Sequence, residues 1–206
     1  GHSIPEFYYG KQVFDQYGNY TVGPPEFRGQ VIPTLTGNFT STLTLFREVT
    51  LSFNFVGATG HKILNLTREA QRLAGFYDSE FTPEVRAAFL AANAKPNTQR
   101  TPEEIQAVKT YWTLANRYSD EFLEDGSYIK LRELSVSYSL PQSWTSAVGL
   151  KGVDVTASAY NVFTITKYEG FDPEVSVGGA SVLHRGSDSQ SIPNPRFISL
   201  RTSISF

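Results

Sequence analysis

The side chains best suited to chemistry are a group of carboxylates near the middle of the chain. Four fall close together: Asp120, Glu121, Glu124 and Asp125. Carboxylate oxygens are the ligands that Ca²⁺ prefers, but the group lacks the glycine and the alternate-residue spacing of an EF-hand loop. We therefore expect these acids to bond to the nearby cations Lys130 and Arg132, or to be solvated, and we predict no metal site.

Other catalytic or ligand-binding patterns are missing from the sequence. His2, His61 and His184 are widely separated, whereas a metal site needs converging ligands. The absence of Cys excludes thiol catalysis and Cys-ligated zinc. There is no G-x-S-x-G motif, and the glycine pair at 178–179 is too short for a phosphate-binding loop. We predict a protein that is not an enzyme and holds no metal and no cofactor.

Composition limits the partners. The 206 residues carry a net charge of −2 with no basic stripe, which argues against nucleic acid. No run of 18 apolar residues exists, so membrane-spanning helices are excluded, although half-apolar barrel strands are not. The chain starts Gly1-His2-Ser3, contains no Met and shows no signal peptide, so we expect a fragment of a longer protein.

Two-residue alternation predicts five β-strands. In the first, Leu35, Phe39 and Leu43 share one face while threonines fill the other. The alternation reverses phase near Glu133, which predicts either a bulge or a strand whose outer face emerges from lipid. The predicted strands lie at about 34–45, 49–58, 127–140, 153–165 and 196–206.

The segment between the second and third strands, residues 61–122, is predicted to be partly helical. Thr82-Pro83-Glu84 and Thr101-Pro102-Glu103-Glu104 combine an N-cap, a proline at the first helical position and acids in the first turn. We predict helices at 83–94 and 102–117, with a short helix within 63–75.

Long and short connections alternate strictly between the strands. Residues 1–33, 61–122 and 168–194 are long, whereas 46–48 and 141–152 are short. Outer-membrane barrels have short periplasmic turns and long extracellular loops, and their strands need about 9–11 residues to cross. A β-sandwich also has alternating strands, but its usual strand length is about 5–6 residues. The barrel is favoured, and the sandwich remains the alternative.

The chain resembles a known family from Glu124 onward. Glu124-Asp125-Gly126-Ser127-Tyr128-Ile129-Lys130-Leu131 matches a pattern of the SusC/RagA-type TonB-linked outer-membrane transporters, and its strand ends in the family's Tyr-x-Leu-Pro at 138–141. Further matches follow at 158–164, 168–175 (the family's Y-x-G-x-D-P-E loop) and 193–196 (P-x-P-R). The resemblance covers Ile32 to Phe206.

This resemblance implies an all-β fold: an antiparallel transmembrane β-barrel segment of about five C-terminal strands with a long, partly helical extracellular loop. Residues 1–33, 61–122 and 168–194 would be extracellular, and the plug domain is absent. The last strand would be the one that the outer-membrane assembly machinery recognises, with four apolar side chains facing outward: Phe206, Ile204, Leu200 and Ile198.

The family's function implies import of glycans, peptides or similar nutrients across the bacterial outer membrane. The expected partners are the rest of the barrel and its plug, a SusD-like surface lipoprotein, TonB through the missing N-terminal part, and outer-membrane lipid. The alternatives are a soluble β-sandwich that binds glycans, or a surface structural or adhesive module. The sandwich would place Leu43, Phe53, Val136 and Leu200 in a shared core, whereas the barrel would place them against lipid.

Overall fold

The computed structural model describes residues 6–116, 120–174, 176–177 and 186–206, which form two compact units. The first unit comprises residues 1–32, 60–126 and 168–192. The second comprises residues 33–59, 127–167 and 193–206. His2, His184 and the glycine pair at 178–179 lie outside the described residues.

The second unit is one antiparallel sheet whose strands occupy the five segments where the sequence alternates. Their spatial order is β10-β8-β7-β4-β3, with every neighbouring pair antiparallel. The strands are β3 (Leu35–Leu45), β4 (Val49–Thr59), β7 (Tyr128–Ser139), β8 (Gly152–Thr166) and β10 (Phe197–Ser205). The predicted antiparallel all-β fold is confirmed for this sheet.

The connections of the sheet are sorted by length. The turn at 46–48 and the connection at 140–151, which contains helix α4 (Gln142–Ser146), lie at one end of the sheet. Residues 60–126 and 167–196 leave from the opposite end, where Ala58 pairs with Tyr128 and Tyr128 pairs with Thr166. The alternation of loop lengths in the sequence therefore corresponds to two different ends of one sheet.

A bulge explains the phase reversal in β7, and this prediction is confirmed. Leu134 and Glu133 pair with Phe53 and Asn54, but the next pair joins Leu131 to Phe55. Arg132 is the extra residue of the bulge. Because of it, the apolar side chains of Leu134 and Val136 lie on the same face of the sheet as those of Ile129 and Leu131. The pairing of β7 with β8 also shifts register at this level, between Leu131 and Glu133. Asn161 of β8 lies at this shift and has φ 51°.

The first unit contains a hairpin and a small mixed sheet that the sequence did not predict. Strands β1 (Glu6–Phe14) and β2 (Tyr20–Gln30) pair antiparallel within the segment treated as a loop. Strand β5 (Lys62–Asn65) pairs antiparallel with β6 (Leu123–Asp125) and parallel with β9 (Ser187–Asp188).

Two of the three helices in the first unit begin at their predicted caps, Thr82 and Thr101. Helices α1 (Leu66–Leu73), α2 (Pro83–Asn93) and α3 (Pro102–Ala115) confirm a partly helical insertion. The Thr101 hydroxyl accepts from the Glu104 amide at 3.3 Å, and the Glu104 carboxylate accepts from the Thr101 amide at 2.9 Å. This is the predicted capping box. No helix among the described residues is long and apolar enough to span a membrane.

Two apolar clusters stabilise the first unit. Phe7, Val31 and Leu64 pack with Phe122 and Leu123, which joins the β1–β2 hairpin to the small sheet. Helices α2 and α3 meet through Phe89, Ala92 and Val108, with Trp112 packed against them. The ring of Trp112 lies edge-on to that of Phe89 at 5.6 Å, so Trp112 belongs to the packing face of its helix.

Candidate functional surfaces

One face of the five-stranded sheet, called here the apolar face, carries nearly all of the sheet's large apolar side chains. Register places these residues on it: Leu35, Phe39, Leu43, Leu45, Val49, Leu51, Phe53, Phe55, Ile129, Leu131, Leu134, Val136, Tyr138, Val153, Val155, Ala157, Ala159, Phe163, Ile165, Ile198, Leu200 and Ile204. Phe55 of β4 and Phe163 of β8 both pair with Leu131 of β7, one from each side. The centroids of their two rings lie 6.2 Å apart. Many members are exposed, and a contiguous exposed apolar surface of this kind indicates contact with a partner or a membrane.

The opposite face is built from hydroxyl and amide groups. The Asn54 amide donates to the Thr40 hydroxyl at 2.8 Å and to the Asn38 side-chain oxygen at 3.2 Å. The hydroxyls of Ser137 and Thr156 lie 2.6 Å apart on the next pair of strands. These bonds use polar groups that can also bind water, so this face suits an aqueous environment.

The four residues predicted for the assembly signal lie at one edge of the sheet. Ile198, Leu200 and Ile204 are in β10, opposite Ala159, Ala157 and Val153 of β8. Phe206 directly follows the strand, and all four side chains are exposed. Recognition by the assembly machinery stays a prediction.

The first unit holds an arginine centre, defined by Arg68 and Arg72 of α1, that the sequence did not reveal. Arg68 contacts Glu121, Glu124 and Glu169 at 2.7, 3.3 and 2.9 Å. These acids come from three places in the chain: the turn before β6, strand β6 itself and the segment after β8. The centre therefore ties sequence-distant segments of the first unit together.

Arg72 is the more deeply buried of the two. Its side chain is 1% exposed and contacts Asp78 at 2.7 Å and Glu121 at 3.1 Å. It also donates to the carbonyl of Leu114 at 2.8 Å, and its guanidinium lies over the ring of Phe122 at 5.4 Å. A planar guanidinium with several fixed donors suits this crowded arrangement better than an ammonium.

The carboxylates of the centre have pKa values shifted in different directions. Burial raises the pKa of Glu124, against the opposing effects of the Glu169 amide, the Asn65 amide and Arg68. Burial likewise raises the pKa of Glu121. Burial alone would raise the pKa of Asp78, but the amides of Phe81 and Glu80 together with Arg72 lower it below the ordinary value.

For Arg68, burial disfavours the charged form, yet the nearby glutamates outweigh it and raise the pKa of the guanidinium. A cavity of about 260 Å³ lies beside Arg68 and is also lined by Asn65, Asp188 and Phe171. The hydroxyl of Tyr168 donates to buried Asp188 at 2.6 Å, and burial and this hydrogen bond raise the pKa of Tyr168.

Three acids of the group at 120–125 pair with arginines of the first unit, and the predicted bonds to Lys130 and Arg132 stay a prediction. Asp120 contacts Arg28 at 3.3 Å, and Glu121 and Glu124 contact the arginine centre. The named cations Lys130 and Arg132 belong to the second unit. Within the described residues, no three His, Asp or Glu side chains are placed to hold a metal ion.

No family model matches this chain. The TonB-dependent receptor P3 of Formosa agariphila is 26% identical over 93% of this chain and 18% of the receptor. The TonB-dependent receptor SusC of Bacteroides thetaiotaomicron is 37% identical over 29% of this chain and 6% of SusC.

A solved structure shares the fold. The RagAB peptide importer in its closed-closed state matches with a TM-score of 0.63 and 19% identity, over 98% of this chain and 23% of the importer chain. The chain spans about a fifth of the length of the curated relatives that it matches along most of its own length.

Proposed function

We propose that this chain, a relative of the TonB-dependent receptors of the SusC/RagA type, forms part of a transporter that imports glycans, peptides or similar nutrients. The resemblance found in the sequence is confirmed by the relatives. The predicted location is confirmed as well, because TonB-dependent receptors of this kind are proteins of the bacterial outer membrane. The relatives are named receptors and importers, which points away from an enzyme.

The observation that carries the proposal is the apolar face. Strand β3 runs the ten residue steps from Leu35 to Leu45, about 34 Å at ~3.4 Å per residue. Tilted by about 45°, it would rise ~24 Å, close to the ~25 Å apolar band of outer-membrane barrels. The sheet therefore has the length and the two-sided chemistry of a barrel wall, with lipid on one side and water on the other.

The soluble β-sandwich is the second candidate, and burial weighs against it. A sandwich packs the apolar face against a second sheet. Leu43, Val136 and Leu200 are instead 46%, 43% and 74% exposed. A membrane accounts for such exposure without a second sheet.

The remaining parts of the transporter are proposed from the sheet edges. Within the described residues, β3 pairs only with β4, and β10 pairs only with β8. Unpaired strand edges are costly in hydrocarbon, so further strands of the barrel would cover both. We also propose a plug, TonB and a SusD-like surface lipoprotein as partners, with the long segments at 61–122 and 168–194 facing outward.

The test labels single cysteines in the complete gene product that carries this sequence, inserted in outer-membrane vesicles. This segment contains no native Cys, which simplifies the design. Leu43→Cys and Val136→Cys sample the apolar face, and their neighbours Thr42→Cys and Ser137→Cys are matched controls on the polar face. We expect the apolar-face sites to resist a water-soluble maleimide, because a thiol in hydrocarbon does not ionise to the reactive thiolate, and we expect the polar-face sites to react with it.

A different labelling pattern would overturn the membrane assignment. If Leu43→Cys and Val136→Cys react readily with the water-soluble reagent in the vesicles, the face is not in contact with lipid. If both stay protected when the complete protein is prepared free of membrane and detergent, the face lies in a protein core, as in a sandwich.

A further inference from the structure

A buried histidine lies at the base of the insertion, which is the segment 60–126 between β4 and β7. His61 follows the end of β4 and is 8% exposed. Its carbonyl accepts a hydrogen bond from the Gly126 amide at 3.0 Å, and this bond joins the two ends of the insertion. Lys62 and Asp125 form the first of the three residue pairs between β5 and β6. His61 therefore stands at the first step of the pairing that closes the insertion.

The imidazole ring of His61 packs directly on the backbone of Gly126. A Cβ added at Gly126 would lie 2.5 Å from Nε2 and 2.7 Å from Cδ2 of the ring, and 2.9 Å from Cγ1 of Ile63. Gly126 does not have a positive φ, so its backbone conformation does not require glycine. The missing side chain instead leaves the room that the ring occupies.

The ring is better suited to this site when it is neutral. Nδ1 of His61 is buried and has no hydrogen-bond partner among the described residues. A neutral imidazole can carry its proton on the other nitrogen, whereas an imidazolium has an N–H on both. Protonation would therefore bury a charge and an unsatisfied donor together, and burial of either is costly.

The charged groups around the ring do not compensate for this cost. Burial lowers the pKa of His61, and the opposing electrostatic effect of Asp125 does not outweigh it. Glu124, the neighbour of Asp125 in β6, is already bound to the arginine centre. Lys62 follows His61 in the chain and is itself a cation. Gln30 contributes only a neutral amide, which donates to the carbonyl of the residue before His61 at 3.1 Å.

We infer that His61 is a pH-sensitive latch: the neutral ring packs on Gly126 and holds the insertion closed at its base, and the protonated ring leaves this site and releases the first pairs between β5 and β6. The inference goes beyond the proposed function and does not depend on what surrounds the sheet. The stabilising contribution of the latch is complete above the ordinary histidine pKa of about 6.5 and is lost as the pH falls from there through the lowered pKa. The next pair is Ile63 with Glu124, so opening from this end would reach the arginine centre.

The first test measures the protonation of His61 in the complete gene product in detergent. Hydrogen exchange at the C2 carbon of the imidazole, followed by mass spectrometry between pH 4 and pH 9, gives the pKa of the ring. A peptide of residues 58–65 supplies the reference value. We expect a lower pKa in the protein than in the peptide, and an equal or higher pKa would overturn the inference.

Gly126→Ala tests the packing of the ring in the same experiment. The added Cβ should displace the imidazole into water and return its pKa towards the value of the peptide. An unchanged pKa in this variant would equally overturn the inference.

The second test measures release through backbone amide exchange in peptides that span residues 60–66 and 123–127. After correction for the intrinsic effect of pH, exchange there should become severalfold faster between pH 7.5 and pH 5.5. In His61→Phe, which keeps a ring against Gly126 but has no titrating group, this acceleration should disappear. His61→Gln is the second neutral variant and avoids the larger phenyl ring.

The comparison of variants separates the latch from the nearby acids. Glu121 and Glu124 act with the opposite sign, because their raised pKa values make the first unit lose stability as the pH rises. Both acids are present in every variant, so the difference between the protein and its His61 variants isolates the latch. An acceleration that persists in both neutral variants would overturn the inference, and so would one that is equally large in α2 and α3.

Discussion

Arg72 holds a positive charge almost wholly removed from water, and four different groups compensate for it. They are the carboxylates of Asp78 and Glu121, the Leu114 carbonyl and the ring of Phe122. Removing one member of a buried ion pair leaves its partners charged and unsatisfied, which costs far more than breaking a surface pair.

Replacing Arg72 by Met should therefore destabilise the first unit by about 3–5 kcal/mol. The matched control is Lys95→Met, which breaks a half-exposed ion pair with Glu104 and should cost at most about 1 kcal/mol. Hydrogen exchange of the α3 amides measures both. Equal effects of the two substitutions would contradict a structural role for the arginine centre.

Glu124 should make the stability of the first unit depend on pH. Burial raises the pKa of this carboxyl in the fold, so the folded state binds its proton more tightly than the unfolded state. Stability then falls as pH rises from about 4.3, the ordinary value, through the raised pKa. In Glu124→Gln this fall in stability should be smaller. It does not vanish, because the raised pKa of Glu121 also lowers stability as the pH rises.

The measurement is the slope of α1 and α3 amide protection between pH 5 and pH 7, compared for the two proteins. The lowered pKa of Asp78 acts with opposite sign but mainly below pH 5, because the carboxyl of the unfolded chain, with its ordinary pKa of about 3.9, is almost fully ionised above that pH. Identical slopes would show that the Glu124 carboxyl is not perturbed.

Deleting Phe206 tests the assembly signal at the residue scale. We expect lower outer-membrane levels of the complete protein, because the terminal aromatic would be part of what the assembly machinery recognises. Phe206→Tyr is the control that keeps the ring. Unchanged heat-modifiability and surface level of the deletion would refute the prediction.

The arginine centre could not have been predicted from the sequence, because its partners are distant in the chain. Arg68 and Glu169 are about a hundred residues apart, and no local pattern pairs them. The predicted partners of the acids, Lys130 and Arg132, were chosen for being close in sequence. Burial, which decides that such charges must pair, is a property of the folded chain.

At the scale of elements, the β3–β4 turn holds two bulky residues, Phe46 and Arg47, in the left-handed backbone conformation. Replacing Phe46 by Asn and Arg47 by Gly should stabilise the hairpin by about 1–2 kcal/mol in detergent, since both residues now carry left-handed strain. Urea unfolding in detergent measures this gain. Replacing Phe46 alone by Leu is the control and should give no such gain, because leucine is strained there too.

The elements differ in how far they could be predicted. The five strands of the second unit show local alternation that is interrupted only at the bulge in β7 and the shift beside it in β8, and α2 and α3 begin at Thr-Pro-Glu caps. The β1–β2 hairpin was missed because register shifts at Phe7/Tyr8 and Gly10/Gln12 and the pair Pro24-Pro25 hide its alternation. Strands β5, β6 and β9 have two to four residues each, too few to show a period.

At the scale of the whole molecule, the sheet is assembled from three separated stretches of chain. The pairing of β4 with β7 closes a chain loop that consists of residues 60–126. Loop-closure entropy depends weakly on length, and a doubling costs only about 0.6 kcal/mol. The long insertion is therefore compatible with a stable sheet.

Replacing residues 61–125 by Asn-Gly should preserve the sheet, because Gly60 and Gly126 would then flank a two-residue turn in the existing register. The control removes residues 61–126 instead, which shifts the register by one and sends apolar side chains to the polar face. We expect heat-modifiable protein at a near-normal outer-membrane level only for the first variant. Loss of both would mean that the sheet needs the insertion to form.

The hydroxyls of Thr59 and Ser127 lie 3.1 Å apart, so the insertion leaves and rejoins the sheet at practically one point. A junction of this kind has a genetic consequence. Recombination between related genes at these two codons can exchange the whole insertion in a single event and leave the ladder on either side unbroken. Such genes can diversify the insertion rapidly while they inherit the same five-stranded sheet, and selection can act on the two parts at different rates.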